Sequence, residues 1–240
     1  MNYDFFKLSL NPLNFFKCVK YTRDFKKANP DFFDLSGLLV FTGAQGEGKT
    51  LSAVLYVCQV MAAYPKCLLV SNIDISHFPI DNKRVYRFNN ADDLTKYNNG
   101  DKGVIFLIDE IQLYFNSLDS KNIDPAVMVQ ISQQRKQRKH IVATSQVFGR
   151  LAKPLREQFS NVVYCKKILG YIQYNRLIDR DSMEGEASTS TELAGKVKKR
   201  FIWFHKPSYY GCYDTYNIIN NNFKNIKEQN IYDMEVKSEL

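Results

Sequence analysis

The sequence predicts an α/β protein: a mainly parallel sheet flanked by helices, with an antiparallel β extension near the C-terminus. Three observations predict it. Short apolar runs, GLLVF at 37–41, GVIFLI at 103–108 and IVAT at 141–144, alternate with stretches that read as helices, as expected of strands buried on both faces of a parallel sheet. Beyond residue 160, VVYCKKILGYIQYNRLI and KKRFIWFH look like antiparallel strands. At 240 residues, 45% of them apolar, the chain can bury a full core.

Taken in order, residues 1–36 mix aromatic with basic side chains (FFKLSLNPLNFFKCVKYTRDFKK). This reads as a leading segment packed on the domain; an amphipathic arm, a docking segment for a neighbouring subunit and a membrane-surface helix are the alternatives. Pro12 is expected to interrupt any long helix here. A strand over Gly37–Phe41 and a helix over Leu51–Tyr64 follow. Cys67–Val70 reads as a short buried strand, SNIDISHFPI as a loop, Val85–Phe88 as a strand and Asp92–Tyr97 as a short helix. Asp124-Pro125 supplies an N-cap acid and a proline at the first helical position, opening a helix expected to run to about Lys139. The polar stretch DSMEGEASTSTELAG reads as a mobile loop. The chain thus divides into an aromatic/basic segment (1–36), one α/β domain (37–216) with its antiparallel extension from about 160, and a polar, Asn-rich tail (217–240) expected to be loosely ordered.

Composition excludes some classes. No apolar run approaches the ~18 residues of a membrane span, and the first residues lack a signal-peptide pattern. Five cysteines, an odd number without a Cys-x-x-Cys pair, argue for a reducing compartment. Cys165, His205 and Cys212 lack the spacing of zinc ligands and read as buried or half-buried residues. The net charge of +8 is concentrated: residues 135–167 hold nine Lys/Arg (Arg135, Lys136, Arg138, Lys139, Arg150, Lys153, Arg156, Lys166, Lys167) against one acid, Glu157, while the rest of the chain balances. The segment points to a polyanionic partner or to a solvated basic face.

Residues 42–50, TGAQGEGKT, carry the first chemical signal. Gly43, Ala44, Gln45, Gly46, Glu47, Gly48, Lys49 and Thr50 fit G-x-x-x-x-G-K-[ST] between a strand and a helix. The glycines let successive N–H groups converge on phosphate oxygens, and the helix adds its positive N-terminal end. Lys49 is placed to meet the β- and γ-phosphates, and Thr50 offers its hydroxyl to Mg²⁺. Together these predict a P-loop site for ATP and Mg²⁺. In VIFLIDEIQ, Asp109 ends an apolar strand and is expected to hold the Mg²⁺ through water; Glu110 would polarise the attacking water. Gln146, at the end of IVATSQ, would sense the γ-phosphate or orient water; an ordinary polar strand end is the alternative. Arg135, Arg138, Arg150 and Arg156 are the arginines from which a neighbouring subunit's site could be completed, Arg135 and Arg138 foremost; otherwise all four face solvent or DNA.

TGAQGEGKT, FLIDEIQ and QRKQRKHIVATSQ, in that order and spacing, resemble the zonula occludens toxin-like (Zot) ATPases, viral and phage relatives of the FtsK/HerA motors. YYGCYDTYN resembles a later motif of such proteins. The resemblance covers roughly residues 37–217. It implies an oligomeric motor, usually a hexamer, that translocates DNA or drives virion assembly and DNA export. It departs from the filamentous-phage pattern, in which a membrane-spanning helix follows the ATPase domain; that favours genome packaging over membrane-bound extrusion. Lys136, Lys139, Arg150, Lys153 and Arg156 are then candidates for sequence-tolerant contacts to DNA phosphates. A cytoplasmic location is expected, with a peripheral position at a membrane or virion as the alternative. The competing functions are a membrane-associated assembly or secretion ATPase and a nucleotide-binding regulator without motor work.

Overall fold

The computed structural model describes residues 12–75, 84–116, 125–180 and 195–213. Among them are strands β1 (Gly37–Thr42), β2 (Leu68–Ser71), β3 (Val85–Arg87), β4 (Val104–Ile108), β5 (Lys139–Ser145), β6 (Phe159–Ile168), β7 (Ile172–Asp179) and β8 (Val197–Phe204). They form one sheet in the order β3-β2-β4-β5-β1-β6-β7-β8. From β3 to β6 every pairing is parallel; β6–β7 and β7–β8 are antiparallel. The helices are α1 (Pro12–Ala28), α2 (Lys49–Ala63), α3 (Asp93–Lys96), α4 (Pro125–Ser132), α5 (Lys153–Arg156) and α6 (Pro207–Tyr210).

The apolar runs explain the layering. All five residues of β4 are buried. Val104, Phe106 and Ile108 join one core layer with Val127 and Ile131 of α4 and Leu155 of α5. Ile105 and Leu107 join the other with Val54, Val57 and Met61 of α2. Alternate residues of one strand thus serve opposite faces, and each fully buried aliphatic side chain contributes about 1.5–3 kcal/mol. β4 and β5 are buried at every position, and parallel pairing lines up the C-terminal ends of β1, β4 and β5 on one rim.

Pro12 stands at the start of α1, where a first-turn residue needs no N–H partner. One local expectation changes. Helix α4 stops at Ser132, not near Lys139. The chain then turns through Gln133–Arg138 and ends in a left-handed Arg138 (φ 55°), whose carbonyl accepts from Val104 N at 2.9 Å. That turn lets β5 begin at Lys139. Helix α1 is held mainly through its C-terminal end. Phe25 meets Phe32 edge-on, Lys26 pairs with Asp34 at 2.6 Å, and Arg138 lies 3.9 Å over the Phe32 ring. Its upstream turns expose Leu13, Phe15, Phe16, Val19 and Tyr21. Residues 1–11, Asp124, the stretch 181–194 that reads as a mobile loop, and the tail from 214 lie outside the described residues.

At the upstream end of β5, His140 is buried against β1 and α2. Its Nδ1–H donates to the Gly37 carbonyl (3.0 Å), so Nε2 accepts from the Tyr56 hydroxyl (3.0 Å). Burial pulls its pKa down to about 4 from an ordinary 6.5. The stabilisation is fully present above pH 6.5 and is lost as pH falls through the folded-state value, a swing on the order of 3 kcal/mol. His140→Gln is expected to flatten the decline of unfolding free energy between pH 6.5 and 4, measured by urea titration at stepped pH.

Candidate functional site

The loop after β1 is built around close approaches. Gly43 (φ 146°) packs so tightly on β6 that a Cβ there would lie 2.6 Å from the Cys165 carbonyl oxygen. Gly48 is left-handed (φ 76°) and stands at the start of α2 without a side-chain cap, leaving the first-turn N–H groups directed at the loop's hollow, an arrangement suited to an anion. Ala44, Gln45 and Gly46 are exposed at the rim. Lys49 is buried and folds its ammonium back onto the Ala44 carbonyl at 2.9 Å. A phosphate would offer this cation a stronger, charged partner.

Thr50, Asp109 and Thr144 meet from three elements. Asp109 Oδ1 accepts from the Thr50 hydroxyl (2.9 Å) and from the Thr144 hydroxyl. Burial is the largest influence on the Asp109 carboxyl and pushes its pKa up; the two threonine hydrogen bonds and Lys49 oppose that, and neighbouring Glu110 adds to it. A divalent cation would offset the burial of this carboxylate, and the oxygen donors of Thr50 and Asp109 suit Mg²⁺. When bound, Mg²⁺ neutralises charge on the phosphates.

Glu110 occupies a left-handed conformation (φ 51°, ψ 51°), uncommon for a residue with a side chain. Its N–H donates to Thr144 Oγ1 at 2.9 Å, which fixes the turn. Its carboxylate accepts from the Gln146 amide at 3.3 Å and from Gln112. Two amides thereby fix the carboxylate at the turn after β4.

The structure therefore brings Lys49, Thr50, Asp109, Glu110 and Gln146 together on the rim formed by β1, β4 and β5. Asn72, Gln112 and Thr144 belong to the same cluster, although none stands out in the sequence as a site residue. Asn72 grips Asp109 by its backbone, accepting from Asp109 N (2.8 Å) and donating to Asp109 O (2.9 Å). The one signal for it is a polar residue directly after a buried strand; nothing in the sequence says that β2 neighbours β4.

The basic segment divides. Arg135, Lys136 and Arg138 precede β5, at the end of the sheet away from the phosphate loop, roughly 25 Å from Gln146 at 3.3 Å per strand residue. Neither Arg135 nor Arg138 reaches the site of the same chain, and Arg138 is taken up by Phe32 and by Asp101 at 4.0 Å. Arg150 and Lys153 are exposed after Gln146, and Arg156 is half-buried. Lys139 is a correction: it is buried, and its ammonium donates to the Leu94 carbonyl (2.7 Å) and Gln130 Oε1 (3.1 Å). It belongs to the core between α3, α4 and β5 and offers no contact to DNA.

Fold and site together define a P-loop nucleoside triphosphatase. The chain belongs to the zonular occludens toxin (Zot) family, whose family model matches residues 37–201. It is similar to the N-terminal domain of zonular occludens toxin from Neisseria meningitidis, at 15% identity over 75% of this chain and 100% of that one, with a TM-score of 0.50. Two further similar structures are the genome packaging NTPase B204 from Sulfolobus turreted icosahedral virus 2 with ATP-gammaS (14% identity, 71% and 97% covered, TM-score 0.45) and B204, the DNA-packaging ATPase from Sulfolobus turreted icosahedral virus (13% identity, 75% and 98% covered, TM-score 0.45). No curated protein sequence matches the chain. At these identities the likeness is one of fold.

Asp109→Asn retains the oxygen that Thr50 and Thr144 address and removes the buried charge. Because burial raises the folded-state pKa, the ionised carboxylate at neutral pH is a destabilising element. The metal-free variant is expected to melt about 2–4 °C higher for each 1 kcal/mol relieved, while Mg²⁺-dependent hydrolysis is lost; scanning calorimetry and phosphate release check the two halves.

Proposed function

We propose that this chain is a Mg²⁺-dependent ATP hydrolase working within a homo-oligomer, a hexamer by family analogy, that translocates DNA in viral or mobile-element genome packaging. The single observation that carries the hydrolytic part is the union of Thr50, Asp109 and Thr144 with the Glu110–Gln146 pair on one rim. Lys49 leaves the Ala44 carbonyl for the β- and γ-phosphates. Glu110 takes a proton from the attacking water, and Gln146 orients Glu110 or reports on the γ-phosphate. A neighbour's arginine, Arg135 or Arg138 among the candidates, would complete the site in trans.

DNA as the moved substrate is supported by the local charge. Arg150, Lys153 and Arg156 lie in the stretch after Gln146, and Lys136 is exposed at the opposite end of β5. Phosphate contacts of this kind give salt-sensitive, sequence-tolerant binding. A second reading, membrane-associated assembly or secretion, is favoured by one observation: the exposed apolar side chains of α1 lie among Lys17, Lys20, Arg23 and Lys27, a composition suited to an anionic lipid surface. Sedimentation with anionic and neutral vesicles distinguishes it.

The deciding experiment is ATP hydrolysis with and without double-stranded DNA at low and high salt. Lys49→Ala is expected to abolish turnover, and Glu110→Gln to lower kcat about 10²–10⁴-fold while nucleotide still binds. Stimulation by DNA that fades with salt supports the motor; hydrolysis indifferent to DNA overturns it. In DNA titrations, Arg150→Ala and Lys153→Ala should each reduce the salt slope by about 1. Lys139→Ala should leave that slope unchanged and lower the melting temperature.

A further inference from the structure

Gln173, the second residue of β7, has no solvent exposure. Its amide nitrogen donates to the Glu47 carbonyl in the phosphate loop (2.9 Å) and to Asn175 Oδ1 (2.8 Å), with the Lys166 carbonyl at 3.4 Å. Asn175 in turn donates to Ser52 Oγ in the first turn of α2 (3.1 Å). The amide oxygen presses on the loop from the same side: a Cβ at Gly48 would lie 2.2 Å from it. One side chain therefore bonds the residue before Gly48 and packs against Gly48 itself, directly upstream of Lys49.

The orientation of this amide is determined by its partners. Three acceptors face its nitrogen, so Oε1 must accept, and it does so from His205 Nε2 at 3.1 Å. That fixes the His205 tautomer, with the proton on Nε2 and Nδ1 accepting from the Tyr210 hydroxyl at 2.6 Å. The ring also stacks on Trp203, 4.9 Å between centroids. Burial and the nearby Lys167 lower the His205 pKa, which keeps the ring in this neutral form at physiological pH.

We propose that Gln173 is a positioning residue for nucleotide binding, locked in one orientation by His205, that holds the Glu47–Gly48 peptide so that the loop's N–H groups are preorganised for phosphate. This rests on the nucleotide reading above. A ligand that meets a preset loop does not have to order it, so the clamp acts on affinity. It touches neither the attacking water nor Glu110 and leaves the chemical step alone.

The test measures Kd for a fluorescent ATP analogue, KM and kcat for ATP, and melting temperature in the full chain. Gln173→Ala is expected to raise Kd and KM about tenfold with kcat within twofold. Gln173→Glu has nearly the same shape but brings a carboxylate against three acceptors; it should weaken binding more than alanine does. His205→Phe, at the half-buried end of the chain of bonds, should raise Kd about threefold with an unchanged melting temperature. His205→Asn, which restores a donor, should recover part of that loss. Wild-type Kd in both His205→Phe and Gln173→Glu overturns the clamp, and so does a lowered melting temperature with unaltered Kd. If the wild-type protein binds the analogue no better than Lys49→Ala, the nucleotide reading falls and the clamp falls with it; tight wild-type binding with indifferent Gln173 variants rejects the clamp alone.

Discussion

The hydrogen bonds that converge on Asp109 organise the rim of the domain. A carboxylate with this degree of burial carries a desolvation cost, and the protein offsets it with donors from two other elements, Thr50 of α2 and Thr144 of β5, while Asn72 secures the backbone from β2. The four elements must be in register for these contacts to form. β1, β4 and β5 therefore do more than fill a core: their pairing brings the helix that follows the phosphate loop against the acid that ends β4. The left-handed turn at Glu110 depends on the same threonine, so the positions of the acid and of its neighbour cannot be set independently.

Much of this was legible in the sequence because the informative patterns are local. The phosphate loop is one contiguous stretch flanked by a strand and a helix. The run ending in Asp109-Glu110 is apolar at every position because both faces of β4 are covered, and Gln146 closes a strand of the same kind. Parallel pairing then places the three strand ends on one rim. The antiparallel turn of the chain after β6 was readable from two β-rich runs with no helix between them.

What the sequence left obscure depends on which strands are neighbours. Asn72, Gln173 and His205 look like ordinary polar residues in a loop end, a strand and a strand exit; their roles arise from partners 37, 126 and 32 residues away. Lys139 shows the opposite failure. Counted among surface charges because lysine is almost always exposed, it turns its ammonium into the gap between α3 and α4, where a backbone carbonyl and a glutamine satisfy it.

The placement of β1 between β5 and β6 has a consequence for biosynthesis. The phosphate-loop strand is made well before its partners, which lie far downstream: Gly37 pairs with His140, and Thr42 with Tyr164. During translation β5 can pair with one side of β1, but the other side remains unsupported until β6 has left the ribosome. Long-range pairing of this kind is slow to close, and exposed strand edges are prone to wrong partners in the meantime. A nascent chain that ends before β6 has the whole motif but lacks the strand on which Gly43 packs, so competence for nucleotide is acquired well after the motif is made, with the local β6–β7 hairpin as the element that completes it.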